Sequence, residues 1–150
     1  MIAFLIYLPQ NSIMYNFLFA AHNIVRYLLL VALVLSFVNA FVKDFGKKPL
    51  VAADNIINRI ALSLLHVQFL VGIVLYTQSP KVSFEAGFMK NPVYRYYTME
   101  HITMMLVAVI LVTIGIARVK RLPENKKHRS VWAFELIALV LISAALLTLK

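Results

Sequence analysis

The chain has 150 residues, of which 62 % are hydrophobic and 14 % charged, and its mean hydropathy of +0.83 excludes an ordinary water-soluble domain. Cysteine is absent, which excludes disulfides, thiolate metal sites, covalent c-type haem attachment and iron–sulfur clusters. A net charge of +9 would suit a nucleic-acid partner, but the placement of the basic residues, traced below, assigns the charge to membrane topology instead.

Residues Ile2 to Leu8 form an apolar run with no preceding positive charge and no small-residue cleavage site, too short to span a bilayer. Met14 makes a natural start for the first helix, and the first thirteen residues read either as a dispensable interfacial cap or as the product of a misassigned start codon. Phe17 to Val42 is the first segment long enough to cross. It carries His22 and Arg26 four residues apart, hence on one face. Gly46 and Pro49 end it, and Asp54 is the expected N-cap of the second helix.

The second apolar segment, Ile57 to Thr77, holds two polar lines: Arg59, Ser63 and His66, and then Gln68, Gly72 and Tyr76. Two lines predict a helix packed on more than one side. The longest loop follows, and its Phe84, Phe88, Tyr94, Tyr96 and Tyr97 read as an interfacial aromatic belt. The third segment, Thr98 to Ala117, opens with Glu100 and His101 and repeats His101, Ala108 and Gly115 at heptad spacing, a stripe that admits a close neighbour. Past Pro123, Val131 to Leu147 forms the fourth, with Trp132 near its inner boundary and Glu135, Ala138 and Ala145 on one face.

Hydrocarbon satisfies no backbone hydrogen bonds, and no segment alternates like a barrel strand, so all four are helices, expected at about 15–43, 55–78, 96–119 and 129–149. The expected fold is all-α: one integral membrane domain, 1–150, built as a four-helix up-and-down bundle. Loop one holds Lys43, Lys47 and Lys48, and loop three holds Arg118, Lys120, Arg121, Lys126, Lys127 and Arg129. The positive-inside rule turns both toward the cytoplasm and leaves the N- and C-termini outside, in a multi-pass protein of a bacterial inner membrane.

Ionisable groups inside a span are costly unless paired, wetted or bound, and here they pick out a candidate site. A rise of about 1.5 Å per residue puts His22 and His101 at the same depth, roughly 10 Å toward the outer face, with His66 near the midplane. Helices one and three are diagonal in such a bundle, so two imidazoles at equal depth face each other across an apolar slot, the requirement of a bis-histidine haem b. Met104, Met105, Leu18 and Val25 would wall the slot, and Arg26 would pair with a haem propionate or with Glu100. Zinc or copper on His22, His101 and Glu100, joined by His66, is a second reading of the same groups. The bland reading makes them structural: His22 bonded to water or headgroups, His66 to a serine or carbonyl of a neighbouring helix, Arg59 ion-paired with Glu135, and His128 solvated among basic residues. Glu135 on a proton path is the alternative for that acid.

The runs His22-Asn23-Ile24-Val25-Arg26-Tyr27, His66 to Tyr76, Ser79-Pro80, Met89-Lys90, Arg95 to Met105 and Thr113-Ile114-Gly115 resemble a family of small four-helix membrane proteins of Bacteroidetes-type bacteria, often labelled cytochrome b-like. The resemblance covers the chain from Met14 onward. It implies a haem-binding, electron-transfer role with His22, His66 and His101 as candidate axial ligands and Arg26 and Glu100 as their partners. The chain departs from that pattern at its end, Leu146 to Lys150, where a Pro-Trp-like terminus is expected. The partners implied are the bilayer and either a quinol or other membrane subunits, with no nucleic acid. A nucleophile with its base and a phosphate-cradling glycine loop are both missing, so a non-catalytic electron-transfer or accessory subunit is expected rather than an isolated enzyme. A cofactor-free assembly subunit is the competing expectation.

Overall fold

The computed structural model describes residues 12–148, and the apolar run before them lies outside the described residues. Those residues form four long helices: α1 (Ser12–Phe45), α2 (Ala52–Gln78), α3 (Pro92–Arg121) and α4 (Glu124–Leu147). Each is long and apolar enough to cross a membrane. Their surfaces are inverted relative to a soluble protein. Ile24, Leu28, Val31 and Leu35 of α1, Leu70 of α2 and Val140 of α4 face outward, and small or polar residues such as Ser36, Ala61, Ala108 and Ala138 are buried. Apolar surface on this scale belongs in lipid.

Helix α1 packs along α2 and α4, and α3 packs along α4 and, less closely, α2. The contacts run in opposite senses along each pair. His22 meets Gly72 while Ser36 meets Asn58, and Tyr96 meets Ala145 while Gly115 meets Ser130. Buried Leu29, Leu33, Ala61, Leu65, Val112, Ala138 and Ile142 fill the centre between them.

The helix ends follow from local chemistry. Asp54 is not the N-cap of α2. Val51 is, and Asp54 sits in the first turn, where its Oδ2 accepts the Val51 N–H at 2.9 Å. Helix α4 starts earlier than its apolar run because Pro123 sets the cap and Glu124 supplies an acidic first turn, paired with Lys127 at 2.6 Å. Trp132 donates its indole N–H to Asp44 at 3.0 Å, tying α4 to the end of α1.

Gly115 shows why the heptad stripe of α3 is small. A Cβ there would lie 2.7 Å from the Cβ of Phe134 and 3.0 Å from the Ser130 carbonyl oxygen. Neither neighbour is the far end of a flexible chain, so Gly115→Ala is expected to destabilise the fold by about 1–3 kcal/mol through overpacking. Thermal unfolding in detergent, read by circular dichroism, checks it.

Candidate functional site

Between the upper halves of the helices lies a cavity of about 360 Å³, at the end of the molecule away from the loops at 46–51 and 122–123. Helix α1 contributes His22, Asn23 and Arg26, α2 contributes Gln68, Gly72 and Tyr76, and α3 contributes Tyr97, His101 and Met105. Leu29, Leu65, Phe69, Val109 and Ile142 form its floor and walls. The volume falls at the lower end of the range typical of small-molecule sites, about 300–1,000 Å³, and the lining is mostly apolar with a few convergent polar groups.

His22 reaches the cavity because Gly72 has no side chain: its ring Cε1 lies 3.2 Å from where a Cβ at Gly72 would sit. Its backbone carbonyl accepts the Gln68 side-chain N–H at 3.0 Å, which holds α1 against α2 at this level. The ring Nδ1 is buried and, among the described residues, has no hydrogen-bond partner.

His101 is positioned by an irregularity at the head of α3. Residues Tyr96–Glu100 form a π turn between the short α-helical segment Pro92–Arg95 and the α-helix His101–Ala117. In an α-helix, residues five apart point about 140° away from each other. A π turn instead bonds i to i+5 and brings such pairs onto one side. Two contacts follow directly: Arg95 Nε to Glu100 Oε1 at 2.7 Å, and Tyr96 Oη to His101 Nδ1 at 3.3 Å. Tyr96 is buried, and its hydroxyl donates to the Ala145 carbonyl at 2.6 Å. A phenol has one proton, so with that proton on Ala145 the contact to His101 requires Nδ1–H to donate. The lone pair of His101 is thereby left on Nε2. An orienting partner on one nitrogen and an available lone pair on the other is the usual preparation of a ligating histidine.

Arg26 also lines the cavity. Its Nε is buried and has no partner among the described residues, and Nη2 donates to Tyr27 Oη at 3.3 Å. Lys81, stacked over Tyr97 at 4.9 Å, adds a cation to the lining, and among the described residues no aspartate or glutamate lines it. The cavity is therefore apolar in its walls and cationic in its polar groups.

Several expectations are corrected. His66 does not share the site: it is exposed on the outward side of α2, with Nδ1 against its own helix at the Leu62 carbonyl (2.9 Å) and Nε2 near Thr113 Oγ1 (3.4 Å). Glu100 is held by Arg95 and does not reach Arg26. Of the four proposed wall residues only Met105 lines the cavity, while Met104, Leu18 and Val25 do not. Glu100 and His66 lie elsewhere, and among the described residues no three His, Asp or Glu groups converge. Arg59 and Glu135 do not pair; Arg59 is exposed, while Glu135 is fully buried against Ser36 at 2.7 Å. His128 is buried rather than solvated, 3 % exposed.

The second polar line of α2, Gln68, Gly72 and Tyr76, faces the cavity, and the first line, Arg59, Ser63 and His66, faces outward. Tyr96 and Lys81 are the site residues that pattern reading misses, since both lie in a stretch whose aromatic content reads as interfacial. No protein-family profile, characterised protein or solved structure matches the chain.

Proposed function

We propose that the chain is a multi-pass protein of a bacterial inner membrane, an up-and-down bundle with both termini outside, that holds haem b between His22 and His101 and serves electron transfer near the outer face. The antiparallel contact pairs support the bundle, and the basic loops one and three support the orientation. The observation that carries the haem reading is the donor set: two neutral-capable imidazoles from diagonal helices line one apolar cavity, one with an orphaned Nδ1 and the other with Nδ1 engaged and Nε2 open.

The residues fit the group on three counts. His22 and His101 would ligate the iron, Leu29, Phe69, Met105 and Ile142 would form an apolar slot, and Arg26 and Lys81 would meet the propionates, with no acid among the described lining residues. When bound, haem would supply one-electron chemistry; the protein supplies ligation, exclusion of water and electrostatics. Tyr96 acts at one remove, fixing the ring plane and tautomer of His101. The electron partners would be a quinol and a further membrane subunit. A reduced-minus-oxidised absorption spectrum of detergent-purified protein, with pyridine haemochrome quantification, tests the reading. A b-type spectrum at one haem per chain supports it, and a flat spectrum from a folded, helical protein overturns it.

Tyr96→Phe is expected to weaken haem retention by about 10-fold without abolishing it, the lower end for loss of an orienting group behind a metal ligand. Haem titration of the apoprotein checks this.

A cofactor-free interaction subunit is the second reading, and the outward line of α2 favours it. Arg59, Ser63 and His66 are exposed on a membrane-length helix, and among the described residues Arg59 has no ion-pair partner. A charged group in that position gains from a neighbouring membrane protein. Crosslinking through a cysteine at Ser63 in native membranes tests it, a heteromeric adduct supporting the reading and lipid-only surroundings opposing it.

A further inference from the structure

Away from the cavity, one polar ladder crosses the lower half of the bundle. On α1 the residues Ser36, Asn39 and Lys43 follow one another at helical spacing, and on α2 Asp54 and Asn58 face them. Lys43, at the loop end and part exposed, pairs with Asp54, which is 1 % exposed. Asn39 Nδ2 donates to the same Asp54 oxygen at 2.8 Å. One turn deeper, Ser36 Oγ lies 3.0 Å from Asn58 Oδ1 and 2.7 Å from Glu135 Oε1 of α4. The ladder stops there. Buried Leu33, Ala61, Leu65 and Ala138 fill the core on the cavity side of Glu135, so the ladder leads from the acid toward the loops.

Proton counting at the last rung is informative. Ser36 has one hydroxyl proton and two oxygens in contact, Asn58 Oδ1 and Glu135 Oε1. Both contacts are hydrogen bonds if Glu135 itself carries a proton and donates it to Ser36, which donates onward to Asn58. The other balanced arrangement turns the Asn58 amide over and leaves an ionised Glu135 whose Oε2, fully buried, has no partner. An unpaired buried anion is the costlier of the two. The charged groups on the packed helices do not relieve it. Lys43 and Asp54 are joined to each other, and Arg118 of α3 lies over the Phe134 ring at 5.8 Å.

We propose that Glu135 is a proton-binding site, loaded from the loop end of the bundle through the Ser36, Asn39, Asn58 and Asp54 ladder. In the loading step a hydronium at the loop end becomes water, its proton passes along bridging water to the Ser36 oxygen, and Ser36 gives its own proton to Oε1. One hydronium and one carboxylate become one water and one carboxylic acid. The gap between rungs is one helical turn, about 5–6 Å, which a single water spans. Asn39 and Asn58 hold that water in line and do not themselves transfer protons.

Dicyclohexylcarbodiimide, an apolar reagent that adds to protonated carboxyl groups, tests the site on the full chain in proteoliposomes. Peptide mapping near neutral pH is expected to find one adduct, on Glu135, absent from Glu135→Gln and undiminished by excess sodium. Infrared spectroscopy is expected to show a carboxylic acid C=O band, missing in Glu135→Gln, whose shift in D₂O slows about tenfold in Asn58→Leu, roughly the effect of losing one hydrogen-bonded link. Absence of the adduct and band from folded wild-type protein overturns the proposal. So does protection by sodium, which would mark a metal-cation site, or an unchanged exchange rate in Asn58→Leu, which would remove the ladder as the route.

Discussion

His22→Ala and His101→Ala are each expected to remove the b-type absorption signature, with haem retention falling by more than tenfold, and His66→Ala to leave it at the wild-type level. The contrast rests on position, since His66 lies at the level of Thr113, about three helical turns from His101, and is exposed, whereas His22 and His101 line one cavity. Each alanine also removes a different support. At position 22 the space above Gly72 is vacated, and at position 101 the Tyr96 hydroxyl keeps its Ala145 contact but loses the ring it orients. Spectra of the three variants, purified beside wild type with far-ultraviolet circular dichroism as the folding control, decide the matter. Equal loss in all three variants would detach the signal from the cavity.

Asp54→Ala is expected to be the most destabilising single change at the loop end, by about 2–4 kcal/mol. Three donors converge on this carboxylate: the Lys43 ammonium, the Asn39 amide and the Val51 backbone N–H. Removal leaves the first turn of α2 uncapped and the Asn39 amide and the Val51 N–H without their acceptor. The figure lies below the full loss for a wholly buried ion pair because Lys43 is 23 % exposed and can turn to water. Asp54→Asn keeps an acceptor for two of the three donors and is expected to lose less than half as much. Glu100→Ala breaks an ion pair at which both side chains are about two-fifths exposed, so its cost is expected below about 1 kcal/mol. Thermal unfolding of the three variants in one detergent ranks them.

The division between inward and outward polar residues explains where pattern reading succeeded. Four segments of membrane length follow from hydropathy, because the cost of free backbone groups in hydrocarbon leaves helices as the alternative to barrels. Depth along each helix follows from counting, and it placed His22 and His101 at one level, where the structure brings both to one cavity. Helix spacing also separated the two polar lines of α2 correctly. What it left open was which line faces in, and both were assigned packing partners. Gln68, Gly72 and Tyr76 face the cavity, whereas of the other line His66 reaches a neighbouring helix at Thr113 and Arg59 and Ser63 are exposed.

The same gap accounts for the misassigned charges. Depth alone matches Arg59 with Glu135, yet rotation about α2 sends Arg59 outward while Ser36, itself bonded to Asn58, meets Glu135. His128 was read from its basic neighbours in sequence, but a helix beginning at Glu124 turns it inward. Tyr96 was read as interfacial from its aromatic neighbours, and the π turn buries it behind His101.

By itself, then, the amino-acid sequence determined the class of the protein, its four spans, the loops that carry the basic charge and the depth of each ionisable group. These quantities depend on composition and on a constant rise per residue. The tertiary structure alone decided azimuth: which imidazoles share a cavity, which acid meets Ser36, and that Glu100 turns back to Arg95. Rotation about a helix axis is set by the sum of its contacts, here by the close approach at Gly72 and Gly115 and by one extra residue in the turn before His101, and no local pattern of apolar residues encodes that sum.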